Sequence, residues 1–355
     1  MGVVKLGDVA RESRLKWTKS KQDVPIVGLE HLIPDEIRFD AYDINTDNTF
    51  SKRFVKGQVL FGRRRAYQRK AAIAEFDGIC SGDITVIEAI EGKIVSELLP
   101  FIIQTPVFFD YANRGSAGSL SPRVKWEHLV DYEFELPSLE EQKVLADKLW
   151  AAYRLKEAYK KLLVATDEMV KSQFIEMFGN SPQKELGELA TFVNGSAFKP
   201  EEWSQEGLPI VRIQNLTQGD APYNYYSGDT SKKVCLNTGD ILVSWSATLG
   251  VFTWSKGPAL LNQHIFKVVF DKLDIEQSFF IYTVKLALEK MADKAHGSTM
   301  RHVVKKDFDS TKVSFPSMRE QQRFVSIAEQ ADKSKFELKQ CIENIDKVIK
   351  SLING

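Results

Sequence analysis

Catalytic signatures are missing from this sequence of 355 residues. It has no Gly-x-x-x-x-Gly-Lys-Ser/Thr loop to cradle a nucleotide phosphate, no Asn/Asp-Pro-Pro-aromatic tetrapeptide of amino-methyltransferases and no nucleophile elbow. The histidines and cysteines form no ligand cluster. We therefore expect the chain to have no ATPase, methyltransferase or nuclease activity of its own, and to hold no cofactor.

Cysteines and long apolar runs are also scarce. The three cysteines, Cys80, Cys235 and Cys341, have no paired spacing, which excludes a disulfide framework and a zinc knuckle and predicts a reducing, cytoplasmic location. No apolar run is long enough to span a membrane, and the N-terminus has no signal-peptide core. The 48 Lys and Arg residues balance 48 Asp and Glu residues, so any contact with nucleic acid must come from local charge.

What the sequence does contain is an internal duplication. The segment Leu136-Pro137-Ser138-Leu139-Glu140-Glu141-Gln142 returns half a chain later as Phe315-Pro316-Ser317-Met318-Arg319-Glu320-Gln321. An earlier landmark, Leu6-Gly7-Asp8-Val9-Ala10, returns in the same order as Leu186-Gly187-Glu188-Leu189-Ala190. One fold used twice, with small loop insertions, explains this order. Because the segments between the landmarks diverge, the two copies are expected to recognise two different things at a fixed separation.

Each copy ends in a long predicted helix. The serine and the glutamate three residues later have capping-box spacing, and neither proline nor glycine interrupts residues 139–178 or 318–354. Apolar residues recur at steps of three and four, which is the coiled-coil pattern, so the two helices are predicted to pair. The predicted seam of the first is Leu145, Lys148, Ala152, Leu155, Tyr159, Leu162, Thr166, Met169 and Gln173, and that of the second is Phe324, Ile327, Ala331, Ser334, Leu338, Cys341, Ile345, Val348 and Leu352.

The region before each long helix is predicted to be a small mixed domain. In the first copy, short β-branched or aromatic segments between turn signals predict strands, and 97–111 is expected to be a helix bent at two prolines. The predicted strands are Val24–Val27, Val59–Phe61, Ile84–Ile87 and Tyr132–Leu136. The fold class is therefore α/β (α+β), with domains at 1–136 and 181–315 and long helices at 137–180 and 316–355.

The sharpest local signal is a basic run from Lys52 to Lys70 that contains no acidic residue. Lysine and arginine supply phosphate contacts, while tyrosine and glutamine suit base edges. A solvated basic hairpin is the alternative. These residues are predicted to lie in a loop that follows a strand and not along the face of a helix, so we favour DNA contact. The candidate contacts are Arg63, Arg64, Arg65, Tyr67, Arg69 and Lys70.

The second copy is nearly uncharged at the matching loop. It carries Trp245 and Thr248 there, and its basic residues follow later, at Arg301, His302, Lys305 and Lys306. These six side chains are the candidate DNA contacts of the second domain.

One pattern favours an enzyme instead. Asp83 followed by Glu91-Gly92-Lys93 is similar to the metal-binding Asp and Glu-x-Lys of many Mg²⁺-dependent endonucleases. Glu-x-Lys is common by chance, and the second copy lacks it. A scaffold without DNA contact is the third alternative.

The paired order of these motifs resembles the specificity subunit of type I restriction-modification systems. The resemblance rests on the two Pro-x-x-x-Glu-Gln helix starts, at Pro137 and Pro316, and on the Leu-Gly-Asp/Glu-x-Ala opening of each copy. It implies a non-catalytic reader of a bipartite target in double-stranded DNA, with two target-recognition domains joined by an antiparallel pair of coiled-coil helices. It also implies two methyltransferase (modification) subunits and restriction subunits as partners, which would carry S-adenosylmethionine, ATP and Mg²⁺.

Overall fold

The computed structural model describes residues 2–294 and 304–354. In this part of the chain there are two compact units, one formed by residues 2–161 with 338–354 and the other by residues 162–294 with 304–337. Each unit contains one predicted recognition domain together with part of each long helix. None of the helices in the described ranges is long and apolar enough to cross a membrane.

The first unit contains short strands and helices. Its strands are β1 (Gly2–Lys5), β2 (Ala10–Glu12), β3 (Ile26–Val27), β4 (Lys52–Phe54), β5 (Val59–Gly62), β6 (Ala71–Ile73), β7 (Gly78–Cys80), β8 (Ile84–Ala89) and β9 (Glu133–Leu136). Its short helices are α1 (Leu6–Val9), α2 (Leu99–Ile103), α3 (Pro106–Arg114) and α4 (Trp126–Leu129), and α5 (Leu139–Phe178) begins in this unit. The four predicted strands are confirmed, although the first and last are shorter than expected.

The strands of the first unit pair into two small sheets and a ribbon. One sheet is antiparallel with the order β2-β8-β5-β6, and the other has the order β3-β7-β4 with β3 parallel to β7. The ribbon pairs β1 with β9, so that Gly2 lies opposite Leu136, directly before α5. The core packs β5 against helices: Phe61 meets Phe108 with ring centroids 5.6 Å apart, and Phe101 meets Trp150 of α5 at 5.0 Å.

The predicted bent helix is two helices. Thr105 ends the first by leaving helical geometry, and its hydroxyl accepts a hydrogen bond from the Phe108 amide as the cap of the second. Pro106 occupies the first turn of α3, where its missing N–H costs nothing. Pro106, at which the sequence predicted a bend, is therefore the first residue of a separate helix, α3.

The second unit repeats this arrangement. Its strands are β10 (Gln183–Glu185), β11 (Thr191–Asn194), β12 (Leu208–Val211), β13 (Asn224–Tyr226), β14 (Cys235–Leu236), β15 (Ile241–Ser244), β16 (Gly250–Thr253), β17 (Ala259–Leu261), β18 (Ile265–Val269) and β19 (Lys312–Ser314). Its helices are α6 (Leu186–Leu189), α7 (Ile213–Thr217), α8 (Gln277–Lys294), α9 (Lys305–Asp309) and the start of α10 (Met318–Asn354).

The strand orders of the two units match. The order β11-β18-β15-β16 reproduces the first antiparallel sheet, and β12, β17 and β14 pair as β3, β7 and β4 do, with β13 added at the edge. β10 and β19 form the equivalent ribbon. The duplication visible in short sequence landmarks is thus a duplication of topology.

The repeated helix start has a structural explanation in each copy. The side chains of Ser138 and Glu141 cap each other, with the serine hydroxyl 2.8 Å from the carboxylate, and Ser317 and Glu320 do the same at 2.7 Å. The following glutamine is buried and ties the helix to its domain. Gln321 accepts a hydrogen bond from the Glu276 amide and donates one to the Pro316 carbonyl, both at 2.9 Å.

Gln142 makes the same pair of bonds in the first unit, with the Val95 amide and the Pro137 carbonyl. The whole Pro-Ser-x-x-Glu-Gln motif therefore builds the junction between domain and helix.

The long helices pack against each other inside each unit. In the second unit, Phe174 and Phe178 of α5 contact Phe324 of α10, and Asp167 pairs with Lys335 at 2.7 Å, so the helices run antiparallel. In the first unit, Lys156 pairs with Asp346 at 2.7 Å. The predicted helix pair is confirmed.

The predicted seam of α5 is wrong in register. Leu155, Leu162 and Met169 are 45%, 49% and 50% exposed, whereas the buried positions are Ala146, Leu149, Trp150, Tyr153, Val170, Phe174 and Phe178. In α10, Phe324 and Ala331 are buried as predicted, but Val348 is half exposed. The buried stripe is wider than a coiled-coil seam because each helix also packs against its domain.

Candidate nucleic-acid interface

The loop between β5 and β6 holds most of the basic residues singled out from the sequence. A single helical turn, Ala66–Gln68, lies between Arg65 and Arg69, which both adopt left-handed backbone angles (φ of 54° and 55°). A side chain in this region is strained by about 1–3 kcal/mol, and such strain clusters at functional sites. Tyr67 at the tip is 58% exposed, in reach of a ligand.

Residues 121–124 pair with this loop. The Arg65 amide donates to the Pro122 carbonyl at 2.8 Å, and the Val124 amide donates to the Arg63 carbonyl at 3.0 Å. Arg64 and Arg123 face each other across this pairing as a β-bridge. Two segments far apart in sequence therefore present their arginines side by side.

Asp83, at the start of β8, lies between those two arginines. Its carboxylate is 3.3 Å from Arg64 Nη1 and 2.7 Å from Arg123 Nε, and Arg64 Nε donates to the Ser121 hydroxyl at 2.6 Å. Partial burial acts to raise the pKa of Asp83, but the hydrogen bonds and charges of Arg123 and Arg64 outweigh it and hold that pKa below its ordinary value. We call Arg63, Arg64, Arg65, Asp83 and Arg123 the Asp83 cluster.

The two cations at the end of the loop, Arg69 and Lys70, have partners inside the domain. Arg69 pairs with Asp35 at 2.7 Å, and Lys70 donates to the Leu29 carbonyl at 2.7 Å. Of the arginines in this loop, Arg63 and Arg65 make no ion pair with any described residue, and their Nε atoms are buried without a hydrogen-bond partner there. The Asp83 cluster therefore carries an excess of positive charge, with four arginines and one aspartate.

The equivalent loop of the second domain is shorter, begins with the same backbone hydrogen bond and carries different side chains. The Trp245 amide donates to the His264 carbonyl at 3.4 Å, just as the Arg63 amide donates to the Asp83 carbonyl at 2.9 Å. Ala247 has the left-handed angle (φ of 58°) of its counterpart Arg65. An aromatic and imidazole pair, with ring centroids 5.4 Å apart, thus stands where the first domain has arginine and aspartate.

The structure brings together some of the other predicted contacts of the second domain. Thr248 is exposed at the tip of the loop, and Trp245 stacks on Phe266 with centroids 5.7 Å apart. Lys305 lies over the same ring at 5.6 Å and pairs with Asp309, so it neighbours the tryptophan. Lys306 is exposed at the start of α9. Arg301 and His302 lie outside the described residues.

The candidate metal residues are separated in space. Asp83 precedes β8 and Glu91 follows it, and six residues of strand cover about 20 Å. Two carboxylates on one Mg²⁺ would each have to lie at about 2.1 Å from it. Asp83, Glu91 and Lys93 therefore do not form one metal site.

A different acidic group meets metal-ligand spacing in the described part of the chain, namely Glu30, His31 and Asp43. His31 Nδ1 accepts a hydrogen bond from the Gly28 amide at 2.9 Å, which places the proton of the neutral ring on Nε2, 3.7 Å from Asp43. With Nδ1 accepting from the amide and the proton on Nε2, the neutral ring has no lone pair left for a cation.

Three residues that sequence reasoning did not place in the interface are central to it. They are distant in sequence from the residues that they contact: Ser121 bonds to Arg64, Arg123 pairs with Asp83, and His264 packs against Trp245. Arg123 had a weak signal, a basic residue shortly before the long helix, but its pairing with Asp83 depends on the fold.

Comparison with known proteins gives consistent matches. A family model described as "Type I restriction modification DNA specificity domain" matches residues 1–163 and 180–347. The EcoBI type I restriction enzyme specificity subunit of Escherichia coli is 25% identical over 161 residues, which is 44% of this chain and 34% of that protein. The MjaVIII specificity subunit of Methanocaldococcus jannaschii is 24% identical over 174 residues, 47% of this chain and 40% of that one. The chain thus matches 34% and 40% of the length of these two relatives.

Solved structures share the fold. A chain from a study of complex assembly and conformational transition of the type I restriction-modification system aligns with a TM-score of 0.61 at 17% identity, covering 99% of this chain and 96% of that one. The type I restriction-modification S subunit from M. genitalium aligns with a TM-score of 0.55 at 12% identity, covering 99% and 94%.

Proposed function

Since the chain belongs to the family of type I restriction-modification DNA specificity domains, we propose that it reads a bipartite DNA sequence, one half-site with each domain. The observation that carries this proposal is the loop between β5 and β6 and its counterpart between β15 and β16. Each loop begins with the same backbone hydrogen bond, from Arg63 to Asp83 and from Trp245 to His264. The side chains differ: the first loop contributes arginines that meet Asp83 and Arg123, and the second contributes Trp245, which meets His264. Two readers with different chemistry suit two different half-sites.

In the first domain, recognition is predominantly electrostatic. Arg63 and Arg65 have no acidic partner among the described residues, so they are best suited to phosphates, and Tyr67 is exposed enough to reach a base edge. Arginine also recognises guanine through two parallel hydrogen bonds in the major groove. Arg69 meets a phosphate only where DNA competes with Asp35, whereas Lys70 keeps its charge because its partner is the neutral Leu29 carbonyl.

In the second domain, recognition relies more on ring and hydroxyl contacts. Trp245 and Thr248 supply an apolar surface and a hydroxyl group, while Lys305, Lys306, Arg301 and His302 supply positioning contacts to phosphates. This domain should therefore depend less on salt than the first.

The chemistry belongs to partner subunits in this proposal. Two methyltransferase subunits would bind S-adenosylmethionine, and restriction subunits would bind ATP and Mg²⁺, while this chain stays non-catalytic. The support is the absence of nucleotide-binding and methyltransferase motifs from the sequence and the separation of Asp83 from Glu91 by the length of β8.

The partners need a surface, and α5 offers one. Leu162 and Met169 are seven residues apart on the part of α5 that belongs to the second unit, and both are about half exposed, a spacing that suits another helix. Leu162→Asp should abolish co-purification of the methyltransferase subunits. Val164→Asp is the matched control, because Val164 is 59% exposed on the same helix but lies on another face. Equal loss with both variants would contradict docking at this face of α5.

The DNA proposal is tested by Arg65→Ala, with Arg53→Ala as the control. Both remove one arginine from the first domain, but Arg53 lies on β4 and pairs with Asp77. If Arg65 binds one phosphate, its removal should reduce the slope of log affinity against log salt by about 1. Selection from a randomised duplex library would report the sequence preference at each half-site. We expect weaker binding at the first half-site and an unchanged preference at the second.

Two outcomes would count against this proposal. Equal losses at both half-sites would mean that the loop is not a local reader. Salt-independent binding by the unaltered protein, or none at all, would favour a scaffold that does not contact DNA.

A further inference from the structure

Asp83 is the one carboxylate that contacts two arginines of the proposed DNA-reading surface among the described residues. Its side chain is 20% exposed, while Arg64 and Arg123 are 39% and 46% exposed. The aspartate therefore lies beneath the two arginines and leaves them accessible to solvent. It neutralises part of their charge, which would weaken a surface whose only role was to attract phosphate.

The contacts with Asp83 occupy only part of each guanidinium group. Arg64 uses Nε toward Ser121 and Nη1 toward Asp83, and Arg123 uses Nε toward Asp83. A guanidinium group has five N–H donors, so each arginine keeps donors for a ligand. Arg123 in particular keeps the edge formed by its two Nη atoms, the geometry that binds a carboxylate, a phosphate or guanine with two bonds.

Arginine side chains are otherwise flexible, and ordering them on binding costs entropy. The Asp83 carboxylate and the Ser121 hydroxyl fix Arg64 at two points before any ligand arrives. Because the backbone bridge between Arg64 and Arg123 also fixes their Cα atoms, the two guanidinium groups have a defined separation. Arginines held in this way lose less entropy when they bind a ligand whose groups match their spacing, and they gain nothing on a ligand whose groups do not.

The fold of the loop does not require an aspartate at this position. The second domain makes the same backbone hydrogen bond with His264 in place of Asp83 and Trp245 in place of Arg63. The carboxylate itself is thus available for a role in recognition.

We propose that Asp83 is a positioning residue for DNA recognition by the first domain, holding Arg64 and Arg123 at a fixed spacing to meet the first half-site. This inference rests on the proposed function above. Asp83 lowers the affinity of the surface for DNA of random sequence, and it raises the preference of the surface for the first half-site over other sequences.

The test compares Asp83→Asn with Asp77→Asn in the full chain, using a randomised duplex library as the probe. Both changes remove one negative charge from the first domain, but Asp77 contacts Arg53 and the Lys56 amide instead of the cluster. Asp83→Asn should bind random-sequence DNA more tightly, with a salt slope steeper by up to about 1. Its preference at the first half-site should fall about 10-fold, the scale of one well-oriented base contact. The second half-site should not change, and Asp77→Asn should keep both preferences.

Ser121→Ala is the second variant. It removes the other anchor of Arg64 without changing charge, so it should reduce the preference at the first half-site without tightening binding to random DNA. Simple destabilisation would weaken all binding, which differs from both patterns.

Three results would overturn the proposal. One is tighter binding by Asp83→Asn with an unchanged first half-site preference, which would leave only a bulk charge effect. The second is an unchanged preference in Ser121→Ala, which decides the matter if Asp83→Asn does not fold. The third is an equal loss of preference in Asp77→Asn. Failure of the proposed function looks different, because the unaltered protein would then select no first half-site at all.

Discussion

Phe324 is expected to be the most sensitive single position in the second unit. Its side chain is fully buried at the start of α10, and its ring centroid lies 5.2 Å from that of Phe174, 5.7 Å from Phe178 and 5.5 Å from Tyr282. One ring thus joins both long helices to α8. Phe324→Ala removes these contacts and leaves a cavity, so it should lower the free energy of unfolding of this unit by about 3–5 kcal/mol.

Phe336→Ala is the matched control. It is the same substitution on the same helix, but Phe336 is 61% exposed, so the expected cost is within about 0.5 kcal/mol. Because the chain has two compact units, a single unfolding midpoint would mix their contributions. Hydrogen exchange in a urea series, read peptide by peptide, should show loss of protection in α8 and the start of α10. A cost below about 1 kcal/mol for Phe324→Ala would refute the reasoning, since it would mean that the site collapses around the deletion.

Two further predictions concern the start of α10. Gln321→Leu should lower the free energy of unfolding in urea by about 2–4 kcal/mol, because it leaves two backbone groups unpaired in a buried site. The control is Gln322→Leu at the exposed neighbouring position. Similar losses for the two variants would contradict the bonding described. Hydrogen bonds from the hydroxyl and amide of Ser317 hold the pKa of Glu320 below its ordinary value, so the capping contribution is complete above the unfolded pKa of about 4.3 and is lost as the pH falls below it. Glu320→Gln should therefore flatten the dependence of stability on pH between about pH 5 and pH 3, and an unaltered acid limb would argue against the cap.

The features that the sequence predicted well are local in the chain. The capping boxes depend on a serine and a glutamate three residues apart, so Ser138 with Glu141 and Ser317 with Glu320 could be recognised from spacing alone. The duplication could be recognised because the Pro, Ser, Glu and Gln of the junction motif recur at the same spacing in both copies. The burial of the following glutamines was not predicted, since their partners, such as the Glu276 amide, lie elsewhere in the chain.

The seam of α5 shows why periodicity alone gave the wrong face. A heptad seam assumes that one neighbour, the other helix, decides which residues are buried. Trp150 and Tyr153 instead face the first domain, where Phe101 packs against both rings. With two neighbours, the buried stripe widens and shifts, and Leu155 and Leu162 are left exposed.

The basic run looks like free positive charge in the sequence because no acidic residue occurs within it. In the folded chain, Asp35 and Asp83 come to it from outside the run, and they select which arginines remain without an acidic partner. Charge counted along a window therefore overstates the charge that a ligand meets, since pairing is decided by the strands that bring distant loops together.

The same pairing explains how one scaffold can carry two kinds of reader. Arg63 with Asp83 and Trp245 with His264 lie next to the ends of equivalent strands, where the backbone hydrogen bond is kept and the side chains differ. The sheet is stabilised by buried strand residues such as Leu60 and Leu242, so the residues just beyond the strands are free to change. Arg65 and Ala247 both adopt the left-handed backbone conformation. The turn at this position is therefore a property of the backbone, whereas the chemistry of each loop depends on its side chains. A change of DNA preference then needs new side chains at these strand ends and no new fold.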